Sequence, residues 1–409
     1  MKGQASTDYV AVLLLVAVAI AGAAGVAHGA GIAPEVRRQM VRALCVVRRG
    51  DCDVDRRPCV VASTSATDAA GLSIVVLRIG HDRLLVRERR SDGTVAVTLS
   101  QGGEGGVGLS APGVHVRVAL GGRTLGFGGE ATAAALAARR AGRMWILPDA
   151  VQADALVDVL RHPARLARDP SALARFPAPA AVFNEHGLKV GGEVAASNGV
   201  LALTAADVFG TREDRVTGQR TLYVRRSTEL SGSIVVRGTG AGAGAASTEQ
   251  YAVTIARDGR PLDLAVISTM ARTTFVQLPR DLQVTAGLAG TPLRHARTLV
   301  REEHLDLTDA GNLELARGFL EQVRHPRLHV GDAVDVAAQL ARRLDAVGVI
   351  NVRAYDADVR RYGVDVGGSL GVKLGARYDH DTTTSHLLAA ATRGIDGRWR
   401  RRGDCLARA

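Results

Sequence analysis

Ser73-Ile-Val-Val-Leu-Arg-Ile79, Arg83-Leu-Leu-Val-Arg-Glu-Arg89, Thr94-Val-Ala-Val-Thr-Leu99 and Val114-His-Val-Arg-Val118 follow one another closely along the chain. Each is a short run built around Val, Ile and Leu, and Val114 to Val118 alternates apolar with polar positions, the patterns of β-strands. Gly80-His81-Asp82, Ser91-Asp92-Gly93 and Leu120-Gly121-Gly122 separate these runs as turn signals. Together they predict an antiparallel meander with one wet face.

Beyond this meander, Glu130 to Arg140 and Pro148 to Ala167 carry Ala, Leu and Val at helical spacing. Strand patterns return in Leu222-Tyr-Val-Arg-Arg226, Ser233-Ile-Val-Val-Arg237, Tyr251-Ala-Val-Thr-Ile255 and Leu262-Asp-Leu-Ala-Val-Ile267, with Gly238 to Ala246 read as a flexible hairpin loop. Leu307-Thr308-Asp309 is an N-cap signal before a helix over Asn312 to Val323, and Val330-Gly331-Asp332 opens a second amphipathic run to Leu344. Ile350 to Tyr355, Gly363 to Val366, Gly371 to Tyr378 and Leu387 to Thr392 read as strands. Strand runs and helix runs segregate instead of alternating, which predicts the α+β class. The expected divisions are 1–30, a leader and transmembrane helix; 31–70, a Cys-containing linker; 71–175, a β-meander plus helices; 176–298, a second β-rich block; and 299–409, an α+β block.

The chain of 409 residues is 46% hydrophobic yet only 3% aromatic, so its core must rest on aliphatic side chains. A net charge of +11 would suit nucleic acid or an anionic membrane surface. The cations are scattered, however, and Lys2, Lys189 and Lys373 are the only lysines. A general bias toward arginine accounts for this pattern, and nucleic acid is not expected as a partner. Arg398-Trp399-Arg400-Arg401-Arg402 reads as a solvated tail.

At the N-terminus, Val10 to Ala27 contains no charged residue and is about long enough to cross a bilayer as a helix. Lys2 on the short side places the remaining chain outside by the positive-inside rule. An uncleaved signal anchor, or a secretory signal cut near Ala27 to Ala30, fits the same stretch. Asp8, two residues before the apolar run, has no use in a signal peptide and is costly in a bilayer unless paired.

Gly3, followed by Gln4-Ala5-Ser6-Thr7-Asp8-Tyr9 and a long apolar stretch, resembles the leader of type IV pilin-like proteins, especially tight-adherence (Flp) pilins and pseudopilins. The resemblance covers only about the first thirty residues, with Asp8 where Glu is usual in the family. It implies cleavage after Gly3 by a prepilin-type peptidase, a new N-terminus at Gln4, an acidic position at Asp8 and the family's tyrosine at Tyr9. An ammonium at Gln4 could then pair with Asp8 of a neighbouring subunit, fixing register within the membrane. The C-terminal block resembles regions of uncharacterised actinobacterial exported proteins, a likeness that implies no activity.

Cys45, Cys52 and Cys59 are evenly spaced, and Cys405 lies near the end. An even number of cysteines in an exported chain points to disulfides, and every fully paired scheme ties Cys405 to the N-terminal cluster. The spacing does not suit zinc. Asp379, His380 and Asp381 with His386 form the densest polar group, read as a hairpin turn with metal or acid/base chemistry as the alternative. His325 and His329 have helical ligand spacing, but Pro326 interrupts it. Hydrolase, nucleotide and dinucleotide motifs do not occur, and no cofactor is expected.

The function expected from these observations is that of a membrane-anchored, exported, non-enzymatic envelope protein, a pilin-like or pseudopilin-like subunit with an extracytoplasmic body. Its expected partners are the membrane, copies of itself, and pilus or secretion machinery. An anchored or secreted enzyme or effector with a site around Tyr378 to His386 is the alternative. A basic surface for wall polymer or DNA is the lesser one.

Overall fold

The computed structural model describes residues 57–74, 77–120, 123–196, 199–236, 239–277, 293–324, 330–369, 373–394 and 397–406. Thirteen strands follow chain order in one antiparallel sheet: β1 (Val60–Ile74), β2 (Leu77–Arg90), β3 (Val95–Leu120), β4 (Arg123–Leu147), β5 (Ala181–Ala196), β6 (Gly199–Asp214), β7 (Arg220–Val236), β8 (Thr239–Ile255), β9 (Pro261–Gln277), β10 (Leu293–Asp306), β11 (Val349–Ser369), β12 (Lys373–Arg393) and β13 (Trp399–Arg401). β1 also pairs with β12, from Ala62 opposite His386 to Ile74 opposite Leu374. The first twelve strands therefore close into a barrel, which removes the free edges of an open sheet. The three residues of β13 extend the wall beside the last residues of β12, past the point where β1 stops pairing with it.

Contacts that skip a strand identify the inner face. Tyr223 and Arg225 of β7 both reach Glu185 of β5, and Arg140 of β4 pairs with Asp82 of β2. Side chains of alternate strands converge in this way on the concave side. Because successive side chains point to opposite faces, the register divides the wall into lumen-facing and outward-facing rows.

The helices gather at one end of the barrel, where Gly93, Gly218 and Gly259 adopt positive φ in the tight turns 91–94, 215–219 and 256–260. α1 (Ala150–Arg161) starts at Asp149, whose carboxylate accepts from Gln152 N at 2.8 Å. Ala153, Leu156, Val157 and Leu160 recur at helical spacing and bury against outward-facing Leu85, Val97, Trp145 and Leu147. α2 (Pro163–Arg168) follows. α3 (Ala310–Arg324) is capped by Asp309, which accepts from Asn312 N at 3.0 Å, and pairs with α4 (Val330–Val347). Ala316, Phe319, Leu340 and Leu344 cover Val253, Leu264 and Leu305, and the Phe319 ring lies 4.8 Å from Tyr251. α5 (Gly403–Leu406) closes the described chain.

Leu160 is fully buried between α1 and the wall. Leu160→Ala is expected to cost about 2–4 kcal/mol and to detach α1, measured as a lower denaturant midpoint and new protease cleavage in 148–180.

The α+β class with a helix-anchored body is corrected by this architecture. The strand runs that suggested separate meanders all belong to one closed sheet. Glu130 to Arg140, expected as helix, lies within β4, because β3 and β5 on either side satisfy its backbone along the whole stretch. Gly238 to Ala246, expected as a loop, contributes all but its first residue to β8, paired with β7 and β9. Among the described residues no helix is long and apolar enough to cross a membrane. The apolar stretch Val10 to Ala27 lies outside the described residues.

Candidate functional site

The lumen is polar at two levels. At the helix end, Glu302 of β10 pairs with Arg353 of β11 and lies 2.9 Å from His304 Nε2, while His304 Nδ1 lies 2.8 Å from Asp263 of β9. Arg57 comes within 4.0 Å of Glu302 and 2.7 Å of His304. Buried Asn351 and Thr392 sit opposite each other in the same floor. A cavity of about 150 Å³ remains between Arg57, Cys59, Glu302, Asn351, Arg353 and Arg402.

The C-terminal residues seal the wall beside this floor. Cys59, just before β1, is bonded to Cys405 of α5, with their Cα atoms 5.5 Å apart. Arg402 donates to the Arg57 carbonyl at 3.0 Å and to Asp404 at 2.8 Å. The Arg402 guanidinium holds the Asp404 carboxyl below its ordinary range.

Farther from the helices the lumen widens to a chamber of about 350 Å³. Glu185, 6% exposed, accepts from Tyr223 Oη at 2.7 Å and from Arg225 at 3.2 Å. Asp82 and Arg140 pair across β3. Glu104, Lys189, Thr204, Ser227, Glu229 and Thr248 also face the chamber. The outward positions between them on β5 to β8 are largely apolar and small: Leu188, Val190, Leu203, Ala205, Leu230 and Ala245.

The polar group expected around His380 does not assemble. Asp379 to His386 runs along β12, so its members alternate between the two faces of the wall. His380 lies 2.7 Å from Asp68 on the outer face, His386 stands on that same face, and Asp381 belongs to the inner row. Among the described residues, no His, Cys, Asp and Glu cluster could hold a metal. Gly3, Gln4, Asp8, Tyr9, Cys45, Cys52, His325 and His329 lie outside the described residues. The lumen residues were not legible beforehand, because Glu185 and Asp82 acquire meaning only through strand register.

Neither a scan against protein families nor a search of curated proteins finds a match. Solved structures do align. The translocator domain of the autotransporter NalP from Neisseria meningitidis aligns at 9% identity over 87% of this chain and 96% of that one, with a TM-score of 0.28. The beta domain of the Bordetella autotransporter Brka aligns at 8% identity over 80% and 99%, TM-score 0.26, and a Pseudomonas aeruginosa FadL homologue at 10% over 82% and 90%, TM-score 0.24. Superposition at this level is loose, and the barrel assignment rests on strand pairing in this chain.

The pilin-like reading is corrected by that pairing, together with the localisation and partners that came with it. The described residues form one closed barrel in which twelve strands pair in sequence and β1 returns to β12, not a set of separate β-rich blocks. Self-assembly, pilus or secretion machinery and a prepilin-type peptidase therefore have no support in the fold.

Proposed function

We propose that the chain is a β-barrel that crosses a membrane with its strands and passes small hydrophilic solutes through its lumen. The observation that carries this reading is the alternation on β5 to β8. Lys189, Thr204, Arg225, Ser227 and Glu229 line the chamber, while Leu188, Val190, Leu203 and Leu230 stand exposed on the outside. Polar-in and apolar-out is the pattern of a strand between water and lipid. Toward the helix end the outer wall changes character, with Asp207, Arg226 and Glu249 side by side in register and Arg226 2.9 Å from Asp207. Outward charge is tolerated near the interface and costs about 2–4 kcal/mol per Arg or Lys at the midplane, so this row marks one edge of the embedded band.

Full-length protein reconstituted into planar bilayers is expected to give stepwise ionic conductance, and proteoliposomes should admit small sugars while retaining dextran. Folded, vesicle-inserted barrel that admits neither ions nor sugars overturns the reading.

A further inference from the structure

Three charged side chains on the chamber wall lack a partner. Glu104 of β3, Lys189 of β5 and Glu229 of β7 line the chamber and form no ion pair or hydrogen bond among the described residues. Register sets none of them opposite a charged residue on either neighbouring strand. The other lumen-facing charges there are matched, Arg225 with Glu185 and Arg140 with Asp82.

The spacing of the three repeats that of a bonded pair. Glu185 and Arg225 stand two strands apart, with Arg225 two residues along β7 from Tyr223, which is level with Glu185. They meet at 3.2 Å. Lys189 and Glu229 hold the same relation, Ser227 being level with Lys189, and so do Glu104 and Lys189, Gly187 being level with Glu104. Lys189 therefore has a carboxylate on either side across the lumen wall, and neither closes onto it. The gaps open on a chamber of about 350 Å³, a volume that suits a small solute.

We propose that this part of the chamber binds a small zwitterion, an α-amino acid, whose carboxylate accepts from the Lys189 ammonium while its own ammonium donates to Glu229 or Glu104. The inference rests on the passage reading above and names the class of solute. The order of charges selects it. A sugar leaves all three groups to water, an anion meets two repelling carboxylates, and a simple cation meets the Lys189 ammonium; a solute carrying both charges answers the lysine and a carboxylate together. The two positions share Lys189 as anchor, so the solute advances along the wall by exchanging one carboxylate for the other, and neither position holds it tightly enough to stop its exit.

The test is equilibrium binding of labelled serine, ethanolamine and 3-hydroxypropanoate to the full chain in a non-ionic detergent. Ethanolamine lacks the carboxylate of serine, and 3-hydroxypropanoate lacks its ammonium. Serine is expected to bind about 3-fold or more tightly than either. Lys189→Met should bring serine down to the level of ethanolamine, and Lys189→Arg should keep its lead. Lys189 is exposed, so its replacement leaves the packed wall untouched. Glu104→Gln combined with Glu229→Gln should bring serine down to the level of 3-hydroxypropanoate, whereas either change alone should preserve part of the lead. Serine bound no better than its two analogues, or a Lys189→Met variant in which serine keeps its lead, overturns the proposal. Binding needs no passage: serine held by a barrel that conducts nothing defeats the passage and spares the site, and conductance without a preference for serine does the reverse.

Discussion

Replacing Cys405 with Ser is expected to lower the unfolding free energy by about 5 kcal/mol, near the top of the range for removal of a native disulfide. The bond spans 346 residues, so in the chain-entropy view it confines nearly the whole described chain in the unfolded state. It also sits at the seam. β1 meets β12 only from Ala62 onward, and the wall below that point is completed by β13 and α5. Cys59 and Cys405 are both buried there, beside Leu387 and Ala390 of β12. The bond and the Arg402 hydrogen bond to the Arg57 carbonyl tie the C-terminal residues to the start of β1. Guanidinium unfolding followed by the fluorescence of Trp145 and Trp399, the second three residues before Arg402, reads the effect. Reduced wild-type protein should unfold at the same concentration as the variant. A loss below about 1 kcal/mol would show that strand pairing alone holds the seam.

Much of the local structure was legible in the sequence, and the global fold was not. Asp309 and the apolar spacing after it announced α3, and the short apolar run Leu84-Leu85-Val86 announced part of β2, because caps and local hydrophobic patterns act over a few residues. Closure acts over the whole chain. The pairing of Ala62 with His386 depends on register accumulated through twelve strands, and no local pattern encodes it. Composition also misled. Ala133 to Ala138 has strong helix propensity, yet a barrel wall can use small side chains on both faces, and the hydrogen bonds of β3 and β5 outweigh the preference. Asp379 to His386 looked like a polar turn for a related reason: polar residues facing a hydrated lumen and a wet outer rim give a strand no apolar stripe.

Glu185→Ala is expected to alter both stability and ion preference. The carboxylate is buried and accepts from Tyr223 and Arg225, two side chains on the same lumen row of β7. Removing it leaves the Arg225 guanidinium in a partly desolvated wall without its counter-charge. Breaking a fully buried pair costs about 3–5 kcal/mol, and Arg225 at 31% exposure recovers part of this through water, so a loss of about 2–3 kcal/mol follows. The lumen also becomes one charge more positive at the chamber, which should shift the zero-current potential in a salt gradient toward the anion equilibrium potential. Tyr223→Phe separates the two effects. It removes one hydrogen bond, at about 1 kcal/mol, without changing the charge, so the zero-current potential should stay where it is. If Glu185→Ala conducts with the ion preference of the wild type, ions do not pass this carboxylate and the route through the chamber is wrong; if Tyr223→Phe shifts the potential equally, geometry and not charge sets the preference.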